Sequence, residues 1–438
     1  MMRKYAKKGF VFVYVLLFVL ILNGCSAKYS KETDPHKYLE FGLLEDNTYA
    51  VTGFSGDFVQ DVTIPSMHNG IPVTRVSSYA FILGHSFFGI PPKHLPIETL
   101  IIEEGITHIE EFAFESNGIQ HIQLPESLVY IGQHAFFGNY AHMNLPENLA
   151  FIGEGAFAHA KFEGEVLIKD IEIEAQAFYQ AEITHVTFEE GIESIPYGMF
   201  GGVSKLESVE LPQTLVSIGS SAFEGTINLR EISFPDSLLE IGDHAFAGSG
   251  LTKLTFHSSI TIGDAAFREN DLLSEVTFDH PDITMGDDAF GYNPLLNDVH
   301  YNDLIMINPK AFRFSPMNGQ TVSTSNEHYH IIDGALANED GEGYKLILGG
   351  NQLTDFSKFK SIGLYAFYGR EFLDLHIPSN ILNIEPYAFS FSKFENLTID
   401  AIEIKQYAFY YAIVNGTVEI SSEIIHPDSF NYATGFND

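Results

Sequence analysis

A six-residue pattern, I-G-x-x-A-F, recurs along the chain and constrains its fold more than any other feature. It is clearest at residues 241–246, which are I-G-D-H-A-F. Fifteen copies share the terminal Phe, thirteen keep the Ala before it, and most successive Phe residues lie 20 to 23 residues apart. Self-similarity at such a period is the signature of a solenoid. The sequence therefore predicts a β-rich repeat solenoid that spans most of the chain.

The residues between two copies of the pattern predict one short strand per repeat. Residues 209–211 alternate apolar, polar and apolar, as a strand with one buried face does. Pro212 then ends the strand, because proline cannot donate to the ladder. We expect the glycine of the pattern to permit a tight turn, the alanine to allow close backbone approach, and the Phe to fill the space between coils. A single coil cannot cover its own apolar face, so stability comes from stacking.

Composition agrees with a repeat protein and excludes some partners. The 438 residues include 38 Phe and no Trp, as one Phe per repeat requires. The formal net charge of −35 argues against nucleic acid and anionic lipid surfaces, since both need a positively charged partner. We interpret the acidity as a source of solubility for an elongated secreted protein. No cofactor is expected.

The N-terminal 24 residues predict an export signal. Four basic residues precede an unbroken apolar run at 10–22, which is short for a bilayer span and typical of a signal-peptide core. The run ends at L-N-G-C, which resembles the bacterial lipobox, so Cys25 would carry the lipid and residues 25–37 would form a flexible tether. An uncleaved anchor, or a signal peptide with an incidental Cys, are the alternatives. The protein would be exported and held at the cell membrane or cell surface, facing outward.

Irregular spacing divides the remaining chain. Residues 38–76 predict an N-terminal hairpin cap and the entry to the first repeat, residues 77–312 a first set of repeats, and residues 362–438 a second set. Residues 313–361 hold an inserted hairpin, and we expect its residues 326–350 to be added to a finished array, so that their removal leaves most of the fold. Residues 82–96 are expected to form a loop on the return side. Asp340 and Glu342 beside glycines faintly resemble a calcium loop, but their spacing fits a solvated turn better. The two irregular segments, 82–96 and 320–360, are where we expect an enzyme site or a specific binding patch.

The full pattern L-x-x-V-x-L-P-x-x-L-x-x-I-G-x-x-A-F resembles the BspA-like, or Treponema-type, leucine-rich repeat family over roughly residues 48–430. The resemblance implies a right-handed leucine-rich-repeat-type superhelix, with a parallel sheet on one side and short turns or helical segments on the other. It also implies bacterial surface display, binding to proteins or glycans, and no catalytic residues. The family often has Cys three residues after the Phe. Here that position holds polar residues that could satisfy turn backbone groups: Asn117, Asn139, Thr226, Ser249, Asn270 and Asn293.

One row of outward side chains follows from aligning the strands on their buried residues. It comprises the residue before the first buried one in each repeat: Thr99, His121, His142, Glu165, His185, Ser208, Glu231, Lys253, Glu275 and Asp298. Because equivalent residues on adjacent strands stand about 4.8 Å apart, we expect neighbours in this row to be within reach of each other. A weak metal site could centre on His142 with His121 or Glu165. An ordinary solvated face that gains charge below about pH 6.5 is the alternative.

Two functions follow from this face. The first is a surface-anchored scaffold that binds a protein or a glycan through the exposed sheet, at the candidate row His121, His142, Glu165 and His185. The second is a cell-envelope enzyme that acts on glycans with carboxylates on the same face. The regularity of the repeats favours the first, because an active site usually breaks the pattern locally. No catalytic motif of known spacing is present in the sequence.

Overall fold

The computed structural model describes residues 37–54, 60–83, 93–94, 97–140, 144–162, 164–302, 306–322, 329–339, 341 and 343–436. The leader, Cys25 and most of the tether lie outside these residues, as do His142, Asp340 and Glu342. The chain divides into two compact units, Met1–Ile152 and Gly153–Asp438. Within the described part of the chain, no helix has the length and apolar character to cross a membrane.

The first unit begins with an antiparallel hairpin and continues as stacked coils, each with a front strand and a back strand. Strand Leu39–Leu43 pairs with Tyr49–Phe54 in the predicted hairpin, and the second strand pairs in parallel with Ile71–Val76. The front strands are Asp61–Ile64, Thr99–Ile102 and His121–Gln123, and the later back strands are His108–Ile109, Tyr130–Ile131 and Phe151–Ile152. Two short antiparallel pairs add Met67–His68 to Ile71–Val76, and join Ile82–Leu83 to Lys93–His94 at the base of the predicted loop.

The second unit repeats this plan in two successive arrays. The first array has front strands Glu165–Ile168, His185–Phe188, Ser208–Glu210, Lys253–Phe256, Glu275–Phe278, Asp298–Tyr301 and Gly319–Val322. Its back strands are Glu172–Ile173, Ser194–Ile195, Ser217–Ile218, Glu240–Ile241, Ile260–Ile262 and Ile283–Met285, followed by a 3-10 helix at Pro309–Phe312. Neighbouring coils pair in parallel, residue for residue. The predicted β-solenoid with parallel sheets is confirmed.

The C-terminal array has longer front strands and a back ladder that starts in the insertion. Its front strands are Glu371–Ile377, Lys393–Ile399, Ile413–Val414 and Val418–Ile420. Its back strands are His330–Ile332, Ala335–Glu339, Tyr344–Leu348, Phe359–Ile362, Asn383–Ile384, Glu403–Ile404 and Ile424–Ile425. The first three of these are antiparallel and the rest are parallel.

The repeat Phe residues form a stacked column inside each array. Phe246 has no exposed surface, and its ring centroid lies 5.1 Å from that of Phe223 and 5.3 Å from that of Phe267. The planes of these neighbouring rings are within 8° of parallel. Each ring is therefore buried by the coils before and after it, as the sequence predicted, and no coil completes its own core.

The glycine of the pattern is required by contact between coils and not by its backbone angles. A Cβ on Gly242 would lie 2.6 Å from the backbone nitrogen of Ser220 in the preceding coil. The left-handed residue of the turn is His244, two positions later, with φ of 57°. The expectation that glycine permits the turn was therefore wrong in its reason: the glycine makes room for the neighbouring coil, and a non-glycine residue adopts the left-handed conformation.

Buried polar side chains three residues after the Phe link one coil to the previous one. The side-chain amide of Asn270 donates to the carbonyl of Phe246 at 2.9 Å, and that of Asn293 donates to the carbonyl of Phe267 at 3.1 Å. The amide of Asn139 donates to the carbonyl of Phe114 at 2.7 Å in the first unit. These amides satisfy turn backbone groups as predicted, and the Thr226 hydroxyl does so within its own coil, whereas the Ser249 hydroxyl donates to the side chain of Asn270.

The inserted hairpin between Phe312 and Phe367 is present, but it belongs to the core. Leu346 in its last strand is the register partner of Ile362 in the first back strand of the coils that follow. Ala335 and Leu346 are fully buried in the same apolar cluster as Phe367. The expectation that the hairpin is added to a finished array is therefore wrong, because its last strand begins the ladder of the C-terminal array.

Arg370 ties this insertion to the coils on both sides. Its side chain is 1% exposed, and its Nε donates to the carbonyl of Gly349 at 3.0 Å. Its Nη1 donates to the carbonyl of Phe312 at 2.7 Å. Burial lowers the pKa of Arg370 to about 9, because the charged guanidinium has lost its water.

Candidate binding face

The outer face of the front strands carries the row that the sequence predicted. Thr99 is the register partner of His121, and His185 is the register partner of both Glu165 and Ser208. Further along, Glu275 pairs in the same way with Lys253 and Asp298. Glu231 lies outside the assigned strands. Alternation along each strand sends these residues outward while the next residue enters the core, as at Glu165–Ile168.

Two candidate residues of this row, Glu165 and His185, hydrogen-bond to threonines and not to each other. The Glu165 carboxylate accepts a hydrogen bond from the hydroxyl of Thr187 in the next coil. His185 Nδ1 lies 2.8 Å from the hydroxyl of Thr184, the residue that immediately precedes its strand. Across the described residues, no group of three or more His, Cys, Asp or Glu is arranged to hold a metal ion. Because His142 is outside the described residues, the metal site centred on it stays a prediction.

Ion pairs join neighbouring coils on the outer face of the first array. Lys253 Nζ lies 2.6 Å from Glu275 Oε2, and this hydrogen bond raises the pKa of Lys253. His257 Nδ1 lies 2.9 Å from Asp279 Oδ2 on the next coil. Such exposed pairs contribute little to stability, because water screens their charges. The face is therefore polar and solvated, and its side chains can exchange these partners for those of a ligand.

The outer face continues on the C-terminal array, where the predicted row did not extend. His376 Nε2 lies 2.8 Å from Asp400 Oδ2, and the hydroxyl of Ser421 donates to the same carboxylate. Both hydrogen bonds lower the pKa of Asp400, and the one from Ser421 has the larger effect. The sequence signal was available, because His376, Ile377 and Pro378 repeat the strand-and-proline pattern of the earlier coils.

Many carboxylates bind backbone amides of the adjacent coil. Glu104 accepts from the backbone N–H of Glu126 at 2.9 Å and of Ser127 at 3.1 Å, and these bonds lower the pKa of Glu104. Asp243 accepts from the backbone N–H of Asp264 at 2.8 Å in the same manner. Part of the acidic excess is thus structural, in addition to any effect on solubility.

These features define the class of protein: a leucine-rich-repeat β-solenoid with an exposed polar sheet face. Residues 93–207, 193–318 and 351–437 match the family model described as BspA type leucine rich repeat region, with six copies. The chain belongs to this family, and the resemblance predicted from the repeats is confirmed. No curated protein matches the chain.

Solved structures of other leucine-rich repeat proteins resemble this chain to different degrees. A leucine-rich repeat protein from Bacteroides ovatus is 20% identical, with a TM-score of 0.62, over 90% of this chain and 100% of that one. A leucine rich cell surface protein from Faecalibacterium prausnitzii is 17% identical, with a TM-score of 0.32, over 94% of this chain and 100% of that one. The Bacteroides ovatus structure has the same fold as this chain, and neither its description nor that of the family indicates a catalytic activity.

Proposed function

We propose that the protein is an exported, lipid-anchored scaffold that binds a protein or a glycan through the outer face of its front strands. The observation that carries the proposal is the row itself. Outward side chains at one strand position follow each other from coil to coil, as Lys253, Glu275 and Asp298 do. A ligand that lies along the strands' stacking direction could therefore contact several coils at once. Such a polar face suits recognition, and it needs no reacting group.

Exposed leucines on the same face support an interaction role. Leu373 lies in front strand Glu371–Ile377 and is 77% exposed, and Leu167 lies in front strand Glu165–Ile168 and is 46% exposed. Each stands among polar neighbours, so an apolar contact surrounded by hydrogen-bonding groups is available to a partner. Interfaces of that composition, with an apolar centre and a polar rim, are typical of protein recognition.

The face is tested with two variants and one matched control. The full-length chain is screened against matrix proteins and a glycan array, and the ligand found is measured with Leu167→Asp and Leu373→Asp. We expect each to weaken binding about tenfold or more, because a buried charge at an interface centre is unfavourable. The control is Leu239→Asp, because Leu239 is 54% exposed and immediately precedes back strand Glu240–Ile241. Equal losses in all three variants, or no loss in any, would reject the front face.

The anchor is tested separately at Cys25, the only Cys in the chain. In bacterial cells fed a fatty-acid analogue, the wild-type chain should take up label and Cys25→Ser should not. Equal label in the two chains would reject lipidation at this residue and would leave the uncleaved anchor and the signal peptide with an incidental Cys as the alternatives.

A further inference from the structure

A second surface, made of aromatic side chains, follows the turns of the C-terminal array. Its residues lie just before and just after the repeat Phe of consecutive coils. We call it the tyrosine surface, and its members are Tyr365, Tyr368, Tyr387, Phe391, Tyr407, Tyr410, Tyr411 and Tyr432. Tyr365, Tyr387 and Tyr407 stack with centroids 5.3 Å apart at each step. Phe391, Tyr411 and Tyr432 form a second stack, with steps of 5.2 and 4.9 Å.

Local backbone chemistry does not explain these aromatic residues. From Ser116 onward, the second residue after the repeat Phe has a positive φ, a conformation that glycine adopts most easily. Residues of different kinds occupy this position: Gly138, Gly202, Gly225, Gly248 and Gly369 are glycines, Ser116, His159, Gln180 and Glu269 are polar, and Tyr292, Phe314, Phe391, Tyr411 and Tyr432 are aromatic. The turn itself therefore does not require an aromatic residue.

Two cations of the chain itself contact this surface. Lys310 Nζ lies 4.6 Å from the ring centroid of Tyr365, and its charge is paired with Asp287 at 3.0 Å. Arg313 lies 5.3 Å from the ring centroid of Tyr368 and pairs with Asp288 at 2.6 Å. At this end of the tyrosine surface, each cation is thus held by an aromatic ring and a carboxylate together, as cation–π attraction and charge pairing allow.

The other end has the same two components without a cation. Tyr411 and Tyr432 are 42% and 62% exposed, and the ring of Tyr410 packs edge-on against both. The exposed carboxylate of Asp428 lies in the same coil as Tyr432 and accepts from the side-chain amide of Gln406 at 3.3 Å. Among the described residues, no Lys, Arg or His forms a salt bridge with Asp428.

We propose that the end of the tyrosine surface formed by Tyr410, Tyr411, Tyr432 and Asp428 binds an arginine- or lysine-bearing segment of a partner protein. A side-chain cation of the partner would contact the exposed rings as Lys310 contacts Tyr365, and its charge would be balanced by Asp428. The net charge of −35 on the whole chain attracts such a basic partner and repels an acidic one. The surface lies outside the front strands, so this inference stands or falls independently of the front face.

The probe is octa-arginine, and octa-glutamate is the charge-reversed control, both measured by calorimetry on the full-length chain. Tyr411→Leu with Tyr432→Leu keeps apolar bulk and removes the π faces, so we expect octa-arginine to bind about tenfold more weakly. Tyr411→Phe with Tyr432→Phe keeps the faces and should bind as the wild type does. Asp428→Asn should weaken binding about threefold, as loss of an exposed charge pair does. Tyr197→Leu, at a 53% exposed tyrosine outside the surface, should change nothing.

Three results would overturn the proposal. Equal binding by all variants would mean that octa-arginine senses only the bulk negative charge. Equal loss in the Leu and Phe pairs would mean that the rings act through packing and not through their faces. The third result is that octa-arginine fails to bind the wild type, whereas a neutral oligosaccharide such as cellohexaose binds the wild type and not the Leu pair. That result would assign the surface to glycans. Circular dichroism checks that the Leu pair is folded, and the single variant Tyr432→Leu gives the same comparison if it is not.

Discussion

Truncation of Phe246 to Ala tests how the coils are held together. The ring has no exposed surface and stacks between Phe223 and Phe267, and Phe234 packs against its edge with centroids 5.8 Å apart. Phe→Ala changes in protein cores destabilise by about 3–5 kcal/mol. Loss of two stacked aromatic pairs, each worth about 0.5–1.5 kcal/mol beyond burial, places Phe246→Ala in the upper half of that range. We therefore expect the free energy of unfolding to fall by about 4–5 kcal/mol.

Hydrogen exchange shows which coils lose stability when Phe246 is truncated. Because a coil depends on its neighbours, amide protection should fall over the coils from Phe223 to Phe267 and should recover with distance along the array. Denaturant unfolding gives the magnitude. Tyr197→Ala is the control, since Tyr197 is exposed in the same unit and its loss should cost no more than about 0.5 kcal/mol. Unchanged protection around Phe246, or an equal cost in the control, would refute the stacked-column interpretation.

Three further predictions concern the coil contacts, the insertion and the outer face. Gly242→Ala should destabilise the first array although Gly242 is not left-handed, because the new Cβ would lie 2.6 Å from the backbone nitrogen of Ser220. Thermal unfolding measures the loss, and His244→Gly, at the left-handed residue, should be tolerated. Replacement of residues 329–348 by a Gly/Ser linker should remove protection from the C-terminal array, and exchange that stays protected there would show the hairpin to be dispensable. Folding lowers the pKa of Asp400, so its carboxylate should stabilise the folded state by less than about 1 kcal/mol above its unfolded pKa near 3.9. This stabilisation should be lost as the pH falls through the folded pKa, so the acid unfolding of wild type and of Asp400→Asn should converge at low pH.

The solenoid and the register of its face could be predicted because one local pattern decides both. A Phe every 20 to 23 residues has only the neighbouring coil to pack against, so repetition in the sequence becomes stacking in space. The alternation around Val186 and Val209 then fixes which residues face outward, and their partners His185 and Ser208 follow. Contacts of individual side chains were less predictable: Glu165 binds Thr187 and not His185, although the register is as expected.

The role of the insertion could not be derived from local pattern alone. A hairpin between two sets of repeats has the same sequence signature whether it projects into solvent or starts a new ladder. What decides is the pairing of Tyr344–Leu348 with Phe359–Ile362, a contact between a strand without the repeat pattern and one that has it. Similarly, the tyrosine surface depends on which turn positions are left-handed, and that information is carried by backbone angles at residues such as Tyr411.

Arg370 shows how a break in the repeat changes the residue that a position requires. It lies three residues after Phe367, the place where Asn270 and Asn293 bind the carbonyl of the previous coil's Phe. At the insertion, the two carbonyls that accept from this position, those of Phe312 and Gly349, come from separate segments of the chain. The short side-chain amide of an asparagine donates only to carbonyls of its own coil and the adjacent one. A guanidinium on a long side chain reaches both the Phe312 and the Gly349 carbonyls. The arginine at this repeat position thus accompanies the packing of the insertion into the core, and its lowered pKa is the consequence of its burial there.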